Sequence, residues 1–255
     1  MNYLGIDIGS TTSKCVIVDD RGKIVGVGLS LGGAGTKGPE RSLKMALDNA
    51  ALIESDVDRT CATGYGRNLI QQADMQHSEL SCHAKGASRL FPTAHTVIDI
   101  GGQDAKVLKL DDQGNLENFV MNDKCAAGTG RFLDVMANVL GILTDELSKL
   151  DKNATGVASV SSTCTVFAES EVISKLASGV PMENIVAGVH ASVADRTYGL
   201  VRRLGVTKDV AMTGGVALNE GLRHRLEARI GEPILTCSIA QYNGALGAAL
   251  YALEA

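Results

Sequence analysis

The chain has no stretch approaching the roughly 18 consecutive apolar residues of a membrane span. Its first residues, Met1-Asn2-Tyr3-Leu4-Gly5-Ile6-Asp7, carry neither the basic segment nor the apolar core of a secretory signal. A cytoplasmic location is the expectation that follows. There is no dense run of Lys or Arg, and the net charge is −5. Nucleic acid and anionic membrane are therefore not expected as partners. No CxxC pair occurs among Cys15, Cys61, Cys82, Cys125, Cys164 and Cys237, and no two of the five histidines have HxxxH spacing. A zinc ribbon, a thioredoxin-type site and a histidine metal site are set aside on that ground. In a reducing compartment the cysteines should be thiols, either buried small hydrophobes or ligands. No low-complexity linker divides the chain.

What is present is ordinary in bulk. Hydrophobic residues make up 45% and charged residues 21% of 255 residues, enough for one large domain or two modest ones, each with a core. The informative feature is a repeat at a constant offset of 92 residues. Gly5-Ile6-Asp7-Ile8-Gly9-Ser10-Thr11-Thr12-Ser13-Lys14 resembles Val97-Ile98-Asp99-Ile100-Gly101-Gly102-Gln103-Asp104-Ala105-Lys106. Each copy runs on through an apolar-rich strand to a turn, Asp19-Asp20-Arg21-Gly22 or Asp111-Asp112-Gln113-Gly114. Eight positions are identical without a gap: Ile6, Asp7, Ile8, Gly9, Lys14, Asp19, Asp20 and Gly22. Each copy reads as strand, tight turn, strand, turn, strand. Two copies do not make a solenoid, so the reading is a duplicated domain.

The chemistry of such a hairpin is direct. A strand ending in Asp and followed by a glycine turn brings backbone N–H groups to a phosphate with no Cβ in the way. The carboxylate beside it can hold Mg²⁺ through water. Two such hairpins facing each other would grip a triphosphate, with Asp7 and Asp99 flanking the metal. The hydroxyls of Ser10, Thr11 and Thr12 and the Lys14 ammonium suit phosphate oxygens.

A third segment, Asp209 to Asn219, reads as a short strand, the Gly214-Gly215 turn and a helix start. Downstream of two phosphate hairpins it resembles the adenosine motif of the actin/Hsp70/sugar-kinase superfamily. That resemblance implies an α/β, duplicated ATPase fold with two lobes around a nucleotide cleft. The expected lobes are 1–94 with 241–255, and 95–240. Helices are expected over Pro39–Ile53, Ser81–Leu90, Ala126–Leu140, Thr165–Ala177 and Met182–Leu204, the last long enough to cross between halves. An Ala-rich helix should follow Gln241, returning to the first lobe. Thr63-Gly64-Tyr65-Gly66-Arg67 reads as a structural turn.

The fold alone leaves kinases, chaperones and ATPases open. Two further segments bear on the choice. Cys125, in Asn122-Asp123-Lys124-Cys125-Ala126-Ala127-Gly128-Thr129-Gly130, is placed where a helix should begin, and Cys164, in Ser161-Ser162-Thr163-Cys164-Thr165, repeats this 39 residues later. A helix N-terminus favours a thiolate and would also stabilise an anionic cluster. On the residues alone these remain either two unligated thiols or half of a four-thiolate set, completed by a second chain in a symmetric dimer.

These two segments, with Asp99-Ile-Gly-Gly-Gln-Asp104, Met212-Thr-Gly-Gly-Val216 and Gln241-Tyr-Asn-Gly-Ala-Leu-Gly-Ala-Ala249, resemble the activator components of 2-hydroxyacyl-CoA dehydratases. The same family includes the ATPase subunits of benzoyl-CoA reductase, and the resemblance spans essentially the whole chain. It implies an oxygen-sensitive homodimer with one [4Fe–4S] cluster held by Cys125 and Cys164 of both subunits. It also implies electron supply from ferredoxin or flavodoxin, and ATP-driven transfer to an iron–sulfur acceptor of the dehydratase or reductase type. The nucleotide site it implies comprises Gly9 to Lys14, Gly101, Gly102, Gly214, Gly215 and Gln241. Asp7 and Asp99 frame Mg²⁺, and Gln103 positions water. Cys15, Cys61, Cys82 and Cys237 are read as structural. The rival is a small-molecule kinase of the same fold. It would need a carboxylate base and an inserted substrate pocket, for which 255 residues leave little room, and it gives no reason for the paired cysteine segments.

Overall fold

A computed structural model describes residues 1–161 and 164–255. The chain divides into two compact units: Met1–Val97 with Leu110–Glu117 and Cys237–Ala255, and Ile98–Lys109 with Asn118–Thr236. The change-overs fall within the second hairpin, at 97/98, 109/110 and 117/118, and at 236/237, where the sequence reading has 94/95 and 240/241. The Asp111–Gly114 turn belongs with the first unit because Gly114 lies on Ser88; a Cβ there would be 2.0 Å from the Ser88 hydroxyl.

The first unit opens with β1 (Asn2–Ile8), β2 (Thr12–Asp19) and β3 (Ile24–Leu31), continues through α1 (Gly38–Ala50), β4 (Arg59–Thr63) and β5 (Met75–Gln76), and reaches α2 (Glu79–Leu90). Its sheet runs β3-β2-β1-β4-β5. β1 pairs antiparallel with β2, placing Asp7 opposite Lys14, and parallel with β4, placing Asp7 opposite Thr63. One face of the sheet carries α1. Glycine makes that approach possible, since a Cβ at Gly28 would sit 1.9 Å from the Ser42 carbonyl oxygen of α1. Leu4, Ile6, Ile8 and Ile17 form the core on this side. Burial of each contributes roughly 1.5–3 kcal/mol.

The second unit repeats the plan with β6 (Thr96–Ile100), β7 (Ala105–Leu110) and β8 (Leu116–Asn122). It adds α3 (Gly130–Leu140), α4 (Leu147–Lys152), α5 (Thr165–Ala177), α6 (Met182–Leu204), β9 (Val210–Thr213), α7 (Glu220–Ile230) and β10 (Ile234–Leu235). The sheet order β10-β9-β6-β7-β8 is the first sheet's order with each strand replaced by its repeat partner. The repeat holds at single hydrogen bonds. Gly9 N–H donates to Thr12 O and Gly101 N–H to Asp104 O, both at 3.0 Å. Asp19 Oδ1 accepts from the Arg21 and Lys23 amides as Asp111 Oδ1 does from Gln113 and Asn115. Those turn hydrogen bonds hold both carboxyls below their ordinary range.

α8 (Asn243–Glu254) returns to the first unit and packs on β1 and α2. Its small residues set the distance: a Cβ on Gly5 of β1 would lie 2.0 Å from the Ala245 carbonyl oxygen, and one on Gly247 would lie 1.8 Å from the Cys82 carbonyl oxygen. Four helix expectations change. α1 ends at Ala50, not Ile53, because Ala51 turns left-handed, and α2 starts at Glu79, not Ser81, because Ser78 caps it. α6, read as a crossover, lies wholly within the second unit and packs on α4 and α7. The helix expected from Ala126 starts at Gly130, because Gly128 takes φ +86° and Thr129 is extended.

Candidate nucleotide hairpins and cysteine segments

In the first unit Asp7, the penultimate residue of β1, is almost fully buried, and Lys14 Nζ reaches its Oδ2 at 3.4 Å across the β1–β2 register. The turn between them leaves Ser10 exposed and Thr11 and Thr12 half-buried. Ser13 differs from the other expected phosphate residues. Its side chain is buried and its hydroxyl donates to Gly32 O at 2.8 Å, so only its backbone remains for a ligand. The Gly32–Lys37 loop sits tightly on this turn, a Cβ at Gly33 being 2.0 Å from Gly9 O.

In the second unit Asp99 is the equivalent carboxylate, and Lys106 Nζ lies 3.5 Å from its Oδ1. Lys106 is itself buried and also pairs with Asp104. A lysine so enclosed is tolerable because both neighbouring carboxylates compensate its charge. Thr213, at the end of β9, donates its hydroxyl to Asp99 Oδ2 at 2.7 Å. Sequence reading passed over Thr213; its signal was its place directly before Gly214. That glycine has φ +85°, and a Cβ would lie 2.3 Å from Ile100 O. Gly215, by contrast, is exposed and open. Gln103 is exposed on the turn, beside half-buried Gly101 and Gly102. Gln241 is half-buried in the 3-10 turn that precedes α8.

Within the second unit the hairpin is tied to the Cys125 segment. The first amides of α3 donate back to the turn, Gly130 to Gly101 O at 2.9 Å and Arg131 to Gly102 O at 2.8 Å. Upstream of them, Asn122 Nδ2 donates to the Cys125 carbonyl at 2.8 Å and the Thr129 hydroxyl to Ala126 O at 2.7 Å. Cys125 therefore belongs to a hydrogen-bonded loop five residues before α3, not to a helix cap; the dipole argument does not apply to it. For Cys164 the expectation fits. It is the N-cap of α5, extended at φ −147° and ψ 135°. Ser162 and Thr163 of that segment lie outside the described residues. Both cysteines are half-buried, and α3 packs against α5.

The remaining cysteines behave as packing residues. Cys15 is buried in β2, and burial pushes its thiol up to about 12. Cys61 and Cys82 are buried together in the core under α8. The hydrogen bond between them, then burial, raises the Cys82 thiol. Cys237 is half-buried after β10. Among the described residues no group of three or more Cys, His, Asp or Glu is arranged to hold a metal ion. No helix among them is long and apolar enough to cross a membrane.

Two equivalent units, each with an Asp-Ile-Gly hairpin on a five-stranded sheet of the same strand order, define the duplicated α/β fold of the actin/Hsp70/sugar-kinase-like ATPases. A glucokinase of the ROK family from Streptomyces griseus shares that fold, with a TM-score of 0.58 and 12% identity over 100% of both chains. Residues 4–252 match the BadF/BadG/BcrA/BcrD ATPase family, and the chain belongs to it. It is 57% identical to the (R)-2-hydroxyglutaryl-CoA dehydratase activating ATPase of Acidaminococcus fermentans, over 98% of this chain and 96% of the other. The solved activator of the 2-hydroxyisocaproyl-CoA dehydratase from Clostridium difficile, with bound ADPNP, superposes with a TM-score of 0.97 at 51% identity, covering 100% and 95%.

Proposed function

We propose that this chain is an ATP-hydrolysing activator that delivers a low-potential electron to an iron–sulfur partner enzyme of the 2-hydroxyacyl-CoA dehydratase type. The observation that carries the reading is the pairing, in one family member, of two Asp-Gly hairpins with two half-buried cysteines on segments that lead into packed helices. For the nucleotide, the turns at Gly9 and Gly101 offer backbone N–H groups to phosphate, and Lys14 adds charge. Asp7 and Asp99, each oriented by a lysine, hold the hydrated Mg²⁺ that accompanies ATP. Gly214, Gly215 and Gln241 take the adenosine side, and exposed Gln103 orients the attacking water. Hydrolysis then rests on positioning and charge neutralisation, as phosphoryl transfer generally does.

Two half-buried thiols are the number that one chain would contribute to a shared [4Fe–4S] cluster: Cys125 and Cys164 would supply two thiolates, and a second copy of the chain the other two. When bound, such a cluster carries one electron, taken from a ferredoxin or flavodoxin. Cys164 lies at the N-terminus of α5, whose free amides would favour an anionic group held there, while Asn122 fixes the Cys125 loop. The exposed Val166, Phe167 and Ile173 of α5 give the helix an apolar surface suited to burial against the second copy. The bonds from α3 to the Gly101–Gly102 turn supply a route by which phosphate contacts reach the Cys125 loop.

Anaerobic purification tests the reading. About four iron atoms per dimer are expected, as for one four-thiolate cluster. Cys125→Ser and Cys164→Ser should each lose the iron and the electron delivery while still binding ATP. Cys15→Ser, Cys61→Ser, Cys82→Ser and Cys237→Ser should stay brown. Full iron content in the Cys125→Ser/Cys164→Ser double variant would sink the cluster, and the kinase reading would replace it.

A further inference from the structure

The segment Thr63-Gly64-Tyr65-Gly66-Arg67 has no part in the proposed function so far, yet the topology gives it one. β4 lies beside β1 as β9 lies beside β6, and both strands end in Thr-Gly. Gly64 and Gly214 have φ of +83° and +85°. A Cβ at Gly64 would lie 2.5 Å from the Ile8 carbonyl oxygen, and one at Gly214 would lie 2.3 Å from that of Ile100, the repeat partner of Ile8. The duplication thus has a third element, at a different offset from the hairpins because, among the described residues, the second unit carries α3, α4, α5 and α6 between β8 and β9.

The copies differ at the aspartate. In the second unit the strand-end threonine holds Asp99 by a hydrogen bond. In the first, Thr63 donates instead to His77 O at 3.1 Å, and Gly64 itself lies against the carboxylate. A Cβ at Gly64 would be 2.5 Å from Asp7 Oδ1, and one at Gly244 would be 3.1 Å from Asp7 Oδ2. Asp7 therefore sits between two glycines, with Lys14 on Oδ2. The Gly64 loop is pinned by Gly66 N–H to Ile8 O at 3.0 Å and by Arg67 Nη1 to Gly64 O at 3.1 Å.

We infer that Gly64 is a positioning residue for Asp7: contact with its backbone fixes the carboxylate where a hydrogen bond fixes Asp99. The inference rests on the reading of Asp7 as a holder of the hydrated Mg²⁺ of ATP. A methyl group at position 64 would meet both the Ile8 backbone and the Asp7 carboxylate at 2.5 Å, so the loop and the carboxylate must move apart, by about 1 Å for ordinary van der Waals contact. A displacement of that size at a reacting centre is worth on the order of 10²-fold in rate.

The test compares Gly64→Ala with Gly179→Ala in the anaerobic holoprotein. Both add strain at a positive φ, but nothing lies within 4 Å of a Cβ at Gly179. Gly64→Ala should lower kcat for ATP hydrolysis roughly 10- to 100-fold with little change in KM. It should also raise the Mg²⁺ concentration needed for half-maximal binding of a non-hydrolysable ATP analogue. Gly179→Ala should match wild type in both. Asp7→Asn is measured alongside. If Asp7→Asn keeps wild-type turnover, the reading of Asp7 fails and this inference with it. If Asp7→Asn is inactive while Gly64→Ala keeps wild-type turnover and Mg²⁺ requirement, only the positioning role is overturned. Should circular dichroism show Gly64→Ala unfolded, Arg67→Ala, which loosens the loop without adding an atom, is read instead. A several-fold shift in the same two quantities supports the inference, and wild-type values overturn it.

Discussion

Thr213→Val probes how Asp99 is held. The substitution keeps the shape of a fully buried side chain, so no cavity opens, and removes one hydroxyl donor from a buried carboxylate at 2.7 Å. A hydrogen bond to a charged group is worth about 1.5–3 kcal/mol. Lys106 stays 3.5 Å from the other oxygen, which favours the lower half of that range. At this chain length about 1.5–3 kcal/mol corresponds to roughly 3–12 °C in Tm. The control is Thr63→Val, at the equivalent strand end. There the hydroxyl serves a neutral carbonyl, His77 O at 3.1 Å, where a bond is worth about 0.5–1.5 kcal/mol. Thermal unfolding of both variants in parallel, under anaerobic conditions, gives the comparison. The Thr213 variant should be the less stable by about 1 kcal/mol. Equal losses, or a larger loss for Thr63→Val, would refute the claim that Thr213 compensates a buried charge.

Asp7→Ala and Asp99→Ala should each lower MgATP turnover by orders of magnitude, because phosphoryl transfer depends on metal positioning and charge stabilisation; wild-type turnover in either removes that residue from the site. Asp151, buried among α4, α6 and α7, gives a pH prediction. Burial alone would raise its carboxyl, but the hydrogen bonds and charges of His190 and Arg225 outweigh burial and bring it from 3.8 to about 2. With the folded value depressed, its stabilisation is complete above about pH 4 and is lost as pH falls toward 2. Denaturant unfolding should therefore show Asp151→Asn less stable than wild type at pH 7, with the gap closing below pH 4; a gap independent of pH contradicts the assignment. Gly5→Ala should destabilise the first unit by about 1–3 kcal/mol or more, since the new methyl meets backbone of α8 at 2.0 and 2.3 Å. An unchanged denaturation midpoint would show that α8 can shift freely away from β1.

The sequence by itself determined the duplicated hairpins. Asp-Gly turns and alternating apolar residues are local instructions, and two gap-free copies fixed their equivalence before any contact was known. The bounds of α5 and α6 also match the sequence reading; for α6 the reason is Pro181, which disfavours helix in the residue before it and so marks the start. The start of α3 was misread because Ala126 and Ala127 favour helix locally, whereas Gly128 at φ +86° and the Thr129–Ala126 bonds make a turn there. Only the tertiary structure decided what long-range packing controls. It brought Thr213 onto Asp99 from 114 residues away, turned the Ser13 hydroxyl inward to Gly32, and laid Gly64 against Asp7. A hydroxyl or a missing Cβ carries no periodic signal along the chain. Its role depends on which backbone lies within about 3 Å, and that is set by how strands distant in sequence become neighbours in a sheet.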